Sequence, residues 1–553
     1  MSPYDYIVVG AGSAGCACVN RLLQIPGKRV LLIEAGPKND GLLVNMPKGF
    51  PILLAKPGAT WRFAPHDPSI AKTETFWMRG LGIGGSSAIN GLVYIRGSAA
   101  DYDGLNVPGW GWTEVRQAYE EMEDHELGPA IGRGAGGPLK ITLHPDHDPV
   151  CEAVIAAGID AGMVFAEDMN QEQGLVAGYM PRTIHAGRRQ SAAVAFLNPV
   201  RNSPELTIMT NTEVRRIVFD GIHAVGLEIS QGGGVKTIRA AGEIILCAGA
   251  LNTPKLLMLS GVGPRDTLAP LGIDIIADRE EVGRNLSEQL GFMPTFRMTR
   301  GGDNHKIRGL GLVRSLLTYL IARKGIMSTA LFQVGLLFST REGSNRPNAI
   351  IQFTPASAAL DKKTANIAPE KQPGASMSAY IIRPRSRGFV AITSADPAVP
   401  IGYTANYLAD EQDRTDSIAL VRAVRRIFKH RRLRQLGFAE ITPGAEVETD
   451  EQIVDYLRTS GAYAIHGLGT CRMGADANSV VDPQLRVRGV SGLRVADLSV
   501  FPEMPSSHTN APAMMAGWRA GQMVVGADAD TPPQDARMPI FNQTRSASVK
   551  YDI

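Results

Sequence analysis

A strand–glycine turn–helix–strand unit opens the sequence, an apolar strand returns at 243–248, and the stretch from about 290 to 460 is rich in β-type runs. Together these predict an α/β, Rossmann-like dinucleotide-binding domain, discontinuous in sequence, beside an α+β domain built on an antiparallel sheet. The first domain takes residues 1–150, 206–290 and 461–528, and the second takes 151–205 and 291–460; residues 529–553 are polar and proline-containing and form a tail. Composition narrows the class. Of 553 residues, 44% are hydrophobic and 20% charged, so a packed core is feasible and disorder is excluded. Lys+Arg 57 against Asp+Glu 54 gives +3, which speaks against nucleic-acid binding. The five cysteines show no paired spacing that suggests a disulfide scaffold. No apolar run is long enough for an integral membrane segment, and Met1-Ser2-Pro3 leads directly into a strand, so a cytoplasmic location is expected.

In chain order, residues 4–9 form a strand that runs into Gly10-Ala-Gly12-Ser-Ala-Gly15, a small-residue helix follows to Leu23, and residues 29–34 form a second strand. Gly10 permits the tight turn, Gly12 lets backbone approach a pyrophosphate, and Gly15 allows close helix–strand packing. The helix N-terminus favours the phosphates, and Glu34 can accept hydrogen bonds from ribose hydroxyls. Glycine makes up 60 of 553 residues, about 11% against a usual value of about 7%, and the excess sits in clusters. The cluster at 232–234, between strand-like runs, is a hairpin loop, so only one dinucleotide site is visible. Residues 153–161, 308–323 and 411–435 are helical, while 206–210, 224–229, 349–353, 378–382 and 389–392 are strands. Residues 493–497 form a strand that can rejoin the first domain, followed by an apolar helix over 511–525. Cys16 and Cys18 are small core fillers on the first helix. His144-Pro-Asp-His147 lacks a second ligand cluster and predicts no metal site, and the basic run 425–434 is a solvated helix face.

Four blocks carry a family resemblance. They are Gly10 to Gly15 with Glu34; Trp77-Met-Arg-Gly-Leu-Gly-Ile-Gly-Gly-Ser-Ser-Ala-Ile-Asn90-Gly; Gly249-Ala-Leu-Asn-Thr-Pro-Lys-Leu-Leu-Met-Leu-Ser-Gly-Val-Gly263; and His466-Gly-Leu-Gly-Thr-Cys-Arg-Met-Gly474 through Asp497 to His508-Thr-Asn510-Ala-Pro512. The chain resembles the glucose–methanol–choline (GMC) oxidoreductases, FAD-dependent alcohol oxidases and dehydrogenases. The resemblance implies that FAD is held by Gly10, Gly12, Ser13, Ala14 and Gly15, with Glu34 and Ala35 after the second strand. It implies flavin and pyrophosphate contacts from Gly84, Gly85, Ser86 and Asn90, adenine contact from the backbone of Val214, and further cofactor contacts from Gly91, Val93 and Ala248. Asp497, Leu498, Asn510, Ala511 and Pro512 fall where the family meets the ribityl chain and the pyrimidine edge. Three positions depart from the pattern. Leu81 replaces a basic residue, which is expected to loosen the loop; Ile89 stands where some relatives attach FAD through histidine, so noncovalent FAD is expected; and Gln289 stands where relatives often carry histidine.

Oxidation of an alcohol by flavin needs a base for the hydroxyl proton and hydride transfer to flavin N5. A neutral imidazole suits the first task. His466 matches the family's catalytic histidine, and His508 the second position, which orients the alcohol oxygen. Choline-handling relatives pair the ammonium with a carboxylate; Gln333 occupies that place in a gapped match, with Phe332, Leu331 and Met327 suggesting an apolar pocket. The expected substrate is therefore a neutral primary alcohol, aliphatic or aryl. Oxygen or a quinone-like electron acceptor would reoxidise the flavin. The alternative is a hydroxynitrile lyase on the same fold with redox-inert FAD.

Overall fold

The computed structural model describes residues 4–70, 76–171, 174–361, 366–506 and 508–529, so the expected tail lies almost wholly outside the described residues. Strand β1 (Tyr4–Val9), helix α1 (Ser13–Leu22) and strand β2 (Val30–Ile33) come first, with α2 (Phe50–Ala55) after them. Helix α3 (Pro149–Asp160), β3 (Val164–Phe165) and β4 (Val176–Tyr179) follow, then β5 (Leu206–Met209), β6 (Thr212–Asp220), β7 (His223–Gln231), β8 (Gly234–Leu246) and α4 (Gly249–Leu259). The middle of the chain holds β9 (Leu290–Phe292), β10 (Thr295–Arg297), α5 (Gly309–Ala322), β11 (Val334–Phe338), β12 (Ala349–Thr354), β13 (Gly374–Ile381), α6 (Glu411–Phe428), β14 (Ala439–Thr442) and β15 (Ala462–Tyr463). Strand β16 (Leu493–Val495) and helix α7 (Asn510–Ala529) close the described chain.

The first sheet runs β5-β2-β1-β8, with β16 on the far side of β8, and all four pairings are parallel. Its strands read as continuous apolar runs because both faces are covered: Ile7, Val8, Leu31, Leu32, Ile244 and Ile245 are fully buried. Strand β8 does two jobs. Its first half pairs antiparallel with β7, closing the hairpin at Gly232 and Gly233, and its second half enters the parallel sheet. Helices α1 and α7 pack so tightly that a Cβ on Gly517 would fall 2.0 Å from the Ala14 carbonyl oxygen. Cys16 and Cys18 are fully buried in this layer, as core fillers should be.

The second sheet has nine strands along β14-β10-β13-β12-β11-β4-β3, with β9 pairing both β13 and β15. All its pairings are antiparallel except β3 with β4. One expected strand does not join it. Residues 389–391 pair instead with 402–404 in a separate two-stranded unit. Alternation within β11 and β12 sends one set of side chains toward α3 and α6 and the other toward the space facing the first sheet. The functional groups gather in that space.

Candidate active site

A cavity of about 980 Å³ runs from the C-terminal ends of β1 and β2 to the inner face of the second sheet. Its inner end is formed by the glycine turn. Gly10 has φ +100°, and a Cβ on Gly15 would fall 1.9 Å from the Gly10 carbonyl oxygen, so helix α1 leaves the strand in near-contact with it. Gly12 differs: its φ of −77° suits any residue, and a Cβ there meets no protein atom within 4 Å. What it would meet is the cavity that Gly12 lines. The second loop closes on the first, with Gly85 so placed that its Cβ would lie 2.7 Å from the Gly12 Cα, and the Gly84 N–H donates to the Ala11 carbonyl at 2.7 Å. Two glycine loops and the N-terminus of α1 thus frame a space shaped for a pyrophosphate.

Glu34 ties these loops together. Its Oε1 accepts from the Gly36 and Gly82 N–H groups, each at 2.9 Å, and its Oε2 accepts from Ala11 N–H at 2.9 Å, leaving Oε2 with capacity for a ribose hydroxyl. The loop around Leu81 is not loosened by the missing basic residue: Asn39 Nδ2 donates to the Leu81 carbonyl at 2.9 Å and Leu81 N–H to that of Ala59 at 3.0 Å. Val214 lines the cavity where the β6–β7 ladder slips by one residue between 214 and 216, which frees backbone there for a ligand edge. Ser13 Oγ donates to Asn510 Oδ1 at 2.7 Å, joining the first turns of α1 and α7 at the cavity wall. Asp497 accepts from Gly249 N–H and Thr253 Oγ on Oδ2 and from Ser499 N–H on Oδ1. Ala14, Ala35, Ser86, Gly91, Val93, Ala248 and Leu498 also line the space. These residues fit a dinucleotide flavin.

Four implied cofactor contacts lie off the wall. Gly15 stands behind it, as its packing role requires; Gly84, expected to touch the cofactor, stands behind it too, its N–H turned to the Ala11 carbonyl; and Ala511 is buried in the core. Residues 510 and 513, one helical turn apart, present the face of α7 that reaches the cavity, so Ala513 takes the place expected of Ala511 and Pro512. Sequence reasoning also missed Arg189. It is 1% exposed, and its guanidinium has no carboxylate partner among the described residues; it donates to Asn90 Oδ1 and to the carbonyls of Val44, Pro47, Ser87 and Asn90, pinning the loop that carries Ser87 and Asn90. Burial pushes its pKa down to about 9.

His466 and His508 meet at the other end, their ring centroids 5.6 Å apart. Gln289, wholly buried, holds the first of them. Its Nε2 donates to the Ile382 carbonyl at 2.8 Å, which turns its Oε1 to His466 Nδ1 at 2.7 Å. Nδ1 is then the protonated nitrogen, and Nε2 keeps the lone pair on a residue that lines the cavity. Burial, helped by His508 and Arg79, holds the His466 pKa well below its ordinary value, so the ring is neutral. On the second side, Gln352 Nε2 donates to the Tyr380 hydroxyl at 2.5 Å, and that hydroxyl lies 3.3 Å from His508 Nε2. The hydroxyl proton has His508 Nε2 as its acceptor, which leaves His508 Nδ1 as a buried N–H without a partner among the described residues. Burial lowers the His508 pKa to about 4.

The backbone carrying His466 is strained. Ile465, a β-branched residue, sits at φ +62°, a region such residues avoid at a cost of roughly 1–3 kcal/mol. Arg79 Nη1 donates to the Ile465 carbonyl at 2.5 Å, and Glu288 Oε2 accepts from the His466 N–H at 2.7 Å. Burial raises the Glu288 pKa to about 7 against the opposing pull of Arg79 and the backbone donors. Two substrate-pocket expectations are corrected. Phe332 lines the cavity, but Gln333, the next residue along, faces the other side, where its Oε1 meets Cys151 Sγ at 3.4 Å. Met327 packs with Met46 and Tyr319 away from the cavity.

Known proteins resemble this chain over most of its length. The N-terminal GMC oxidoreductase model matches residues 4–291 and the C-terminal one residues 384–517. An "Oxygen-dependent choline dehydrogenase" of Brucella ovis is 36% identical over 529 residues, covering 94% of this chain and 95% of that protein. An "Alcohol dehydrogenase [acceptor]" of Pseudomonas putida is 35% identical over 533 residues, covering 94% and 96%. Among solved structures, the pyridoxine 4-oxidase of Mesorbium loti aligns with a TM-score of 0.84 at 28% identity, covering 95% of this chain and 99% of that one. With two glycine loops framing a dinucleotide space and two neutral histidines at its far end, this chain belongs to the GMC oxidoreductase family as an FAD-dependent enzyme acting on CH–OH groups.

Proposed function

We propose that the chain oxidises a neutral primary alcohol, aliphatic or aryl, to the aldehyde. The observation that carries this reading is the fixed tautomer of His466, whose Nε2 lone pair belongs to a cavity-lining ring. His466 Nε2 takes the hydroxyl proton, and the Gln289 acceptor stabilises the imidazolium that forms. His508, its ring oriented by the Tyr380 hydroxyl, lines the cavity beside His466 as the group that orients the alcohol oxygen. Bound FAD supplies the acceptor for the hydride that leaves the carbinol carbon. The Rossmann-like parallel sheet is assigned to FAD and the second sheet to the alcohol. Attachment is noncovalent, because Ile89 offers no nucleophile where it meets the cavity.

Substrate charge is argued from the wall near the histidines. Phe332 packs there with Val93, Tyr380 and Ala464. Three of the carboxylates that reach the cavity are engaged: Glu34 and Asp497 by backbone N–H groups, and Glu370 by Arg297 at 3.2 Å and by the Ser357 hydroxyl. Glu213 lies on β6 beside Val214, at the nucleotide end. Near the histidines the described residues offer a quaternary ammonium aromatic faces and no free carboxylate. The relatives named above are all dehydrogenases or oxidases, which favours oxidation over cyanohydrin cleavage. The test is anaerobic mixing with neutral alcohols and with choline while following the oxidised-flavin band, then admission of air. A kcat/KM for choline above that of every neutral alcohol overturns the substrate reading. Recovery of the band with peroxide makes oxygen the acceptor, and bleaching without recovery calls for a quinone-like carrier.

A further inference from the structure

Helix α5 is apolar on two adjoining faces, one packed and one exposed. Leu312, Leu316 and Tyr319 pack inward with Met46 and Met327. On the other face Leu310, Val313, Leu317, Leu320 and Ile321 are exposed, Leu310 to 88% and Ile321 to 84%. Their spacing puts all five on one face, a larger apolar surface than a helix turned to water carries. From Lys306 to Lys324 the segment holds five cations and no carboxylate. Lys306 pairs with Asp303, whereas Arg308, Arg314, Arg323 and Lys324 hold no ion pair among the described residues.

A second, independent feature adjoins the C-terminal end of α5. A pocket of about 240 Å³ is lined by Arg182, Arg323, Lys324, His144 and Ser328, with Glu126 as its acid. Among the described residues Arg182, 7% exposed, leaves Nη1 without a partner, while His144, 8% exposed, donates from Nδ1 to the Asp146 carbonyl at 2.7 Å. A small basic pocket with an unanswered buried guanidinium N–H suits a phosphate. We propose that α5 and this pocket dock the protein on the surface of an anionic phospholipid bilayer, the exposed leucines entering the acyl boundary and the pocket receiving a headgroup phosphate. No helix of the described residues is long and apolar enough to cross a membrane, so the helix lies in the interface plane. A second copy is the poorer occupant, because a twofold contact would set the four unpaired cations against themselves with no carboxylate on the segment to answer them. Docking brings the reaction chamber beside the lipid. Leu43 packs both into the cluster under α5 and into the one containing Ile89, which lines the main cavity.

The test is sedimentation of the flavin-loaded full chain with vesicles of phosphatidylcholine alone and of phosphatidylcholine mixed with phosphatidylglycerol, at low and high salt. The parent protein sediments with the mixed vesicles, less so at high salt. The double variant Leu310→Asp/Ile321→Asp loses at least about tenfold in partition to both vesicle types. The double variant Arg323→Glu/Lys324→Glu loses at least about tenfold on mixed vesicles alone, each cation near an anionic surface being worth about fivefold. Both keep their flavin and their alcohol turnover in solution, which shows that they fold. The proposal is overturned if the parent stays in the supernatant with mixed vesicles, or if neither variant changes its partition. It is equally overturned if light scattering gives a two-chain mass that Leu310→Asp/Ile321→Asp halves, which hands the face to a second copy.

Discussion

Gln289→Leu tests whether the base is set by its partner or by its position alone. The parent side chain is wholly buried and satisfied at both ends, at 2.7 Å to His466 Nδ1 and 2.8 Å to the Ile382 carbonyl. Leucine keeps most of the volume and removes the acceptor. During the reaction the bond from Nδ1–H goes from a neutral donor to a cationic one, and hydrogen bonds to charged groups contribute about 1.5–3 kcal/mol. At about 1.4 kcal/mol per tenfold, the limiting rate of flavin reduction at saturating alcohol should fall about 10- to 100-fold. KM should change little, because the alcohol does not touch Gln289. The orphaned Ile382 carbonyl costs a further 1–3 kcal/mol, roughly, of fold stability, so the rate is measured well below the melting transition. Gln289→Glu restores an acceptor at Nδ1 and should recover most of the rate, with the acid limb of its pH profile moved upward by the added carboxylate. Stopped-flow reduction under anaerobic conditions reads all of this. If Gln289→Leu reduces its flavin as fast as the parent, or changes KM alone, the tautomer argument is wrong.

Three further outcomes follow from the same geometry. His466→Ala should slow flavin reduction by about two to four orders of magnitude with FAD still bound, and an unchanged rate removes His466 as the base. In pH profiles the group titrating near neutrality is Glu288, at about 7, since both histidines lie far lower. As pH rises through 7 its carboxylate forms beside the His466 backbone and favours the imidazolium, so kcat/KM should rise there. That step should vanish in Glu288→Gln, and an inflection at about 6.5 that survives the substitution would point to an ordinary histidine instead. Gly12→Val should give a folded, colourless protein: the backbone there tolerates a side chain and no protein atom opposes it, so only the cofactor is excluded. Flavin absorption relative to protein absorption, with the melting temperature, decides it.

Much of the cofactor end was legible because its chemistry is local. The 10–12–15 glycine spacing demands one strand-to-helix turn, and the structure puts a close contact at Gly15 and open cavity at Gly12, as that spacing requires. The His466 and His508 contexts marked both as candidate reacting groups, and the structure brings the two rings together. What was not legible depends on register. Gln333 and Phe332 are neighbours, and a one-residue slip in extended chain turns a side chain to the opposite face, so a gapped match could not tell which of them lines the cavity. Gln352 and Tyr380, which orient His508, are joined only through the pairing of β12 with β13.

Gln289 shows the limit most clearly, because the sequence marks it as different without saying what it does. It reaches His466, 177 positions away, through the bridge between Ser287 and Leu468, and nothing in periodicity announces that bridge. The same bridge sets Glu288 under the His466 amide, opposite Arg79 on the Ile465 carbonyl. A β-branched residue stays in the left-handed region only where its surroundings over-determine it, and these two groups grip the strained peptide from both sides. The buried charges and the strain therefore have one physical purpose. They fix the height and angle of an imidazole that Gln289 alone could orient but not place.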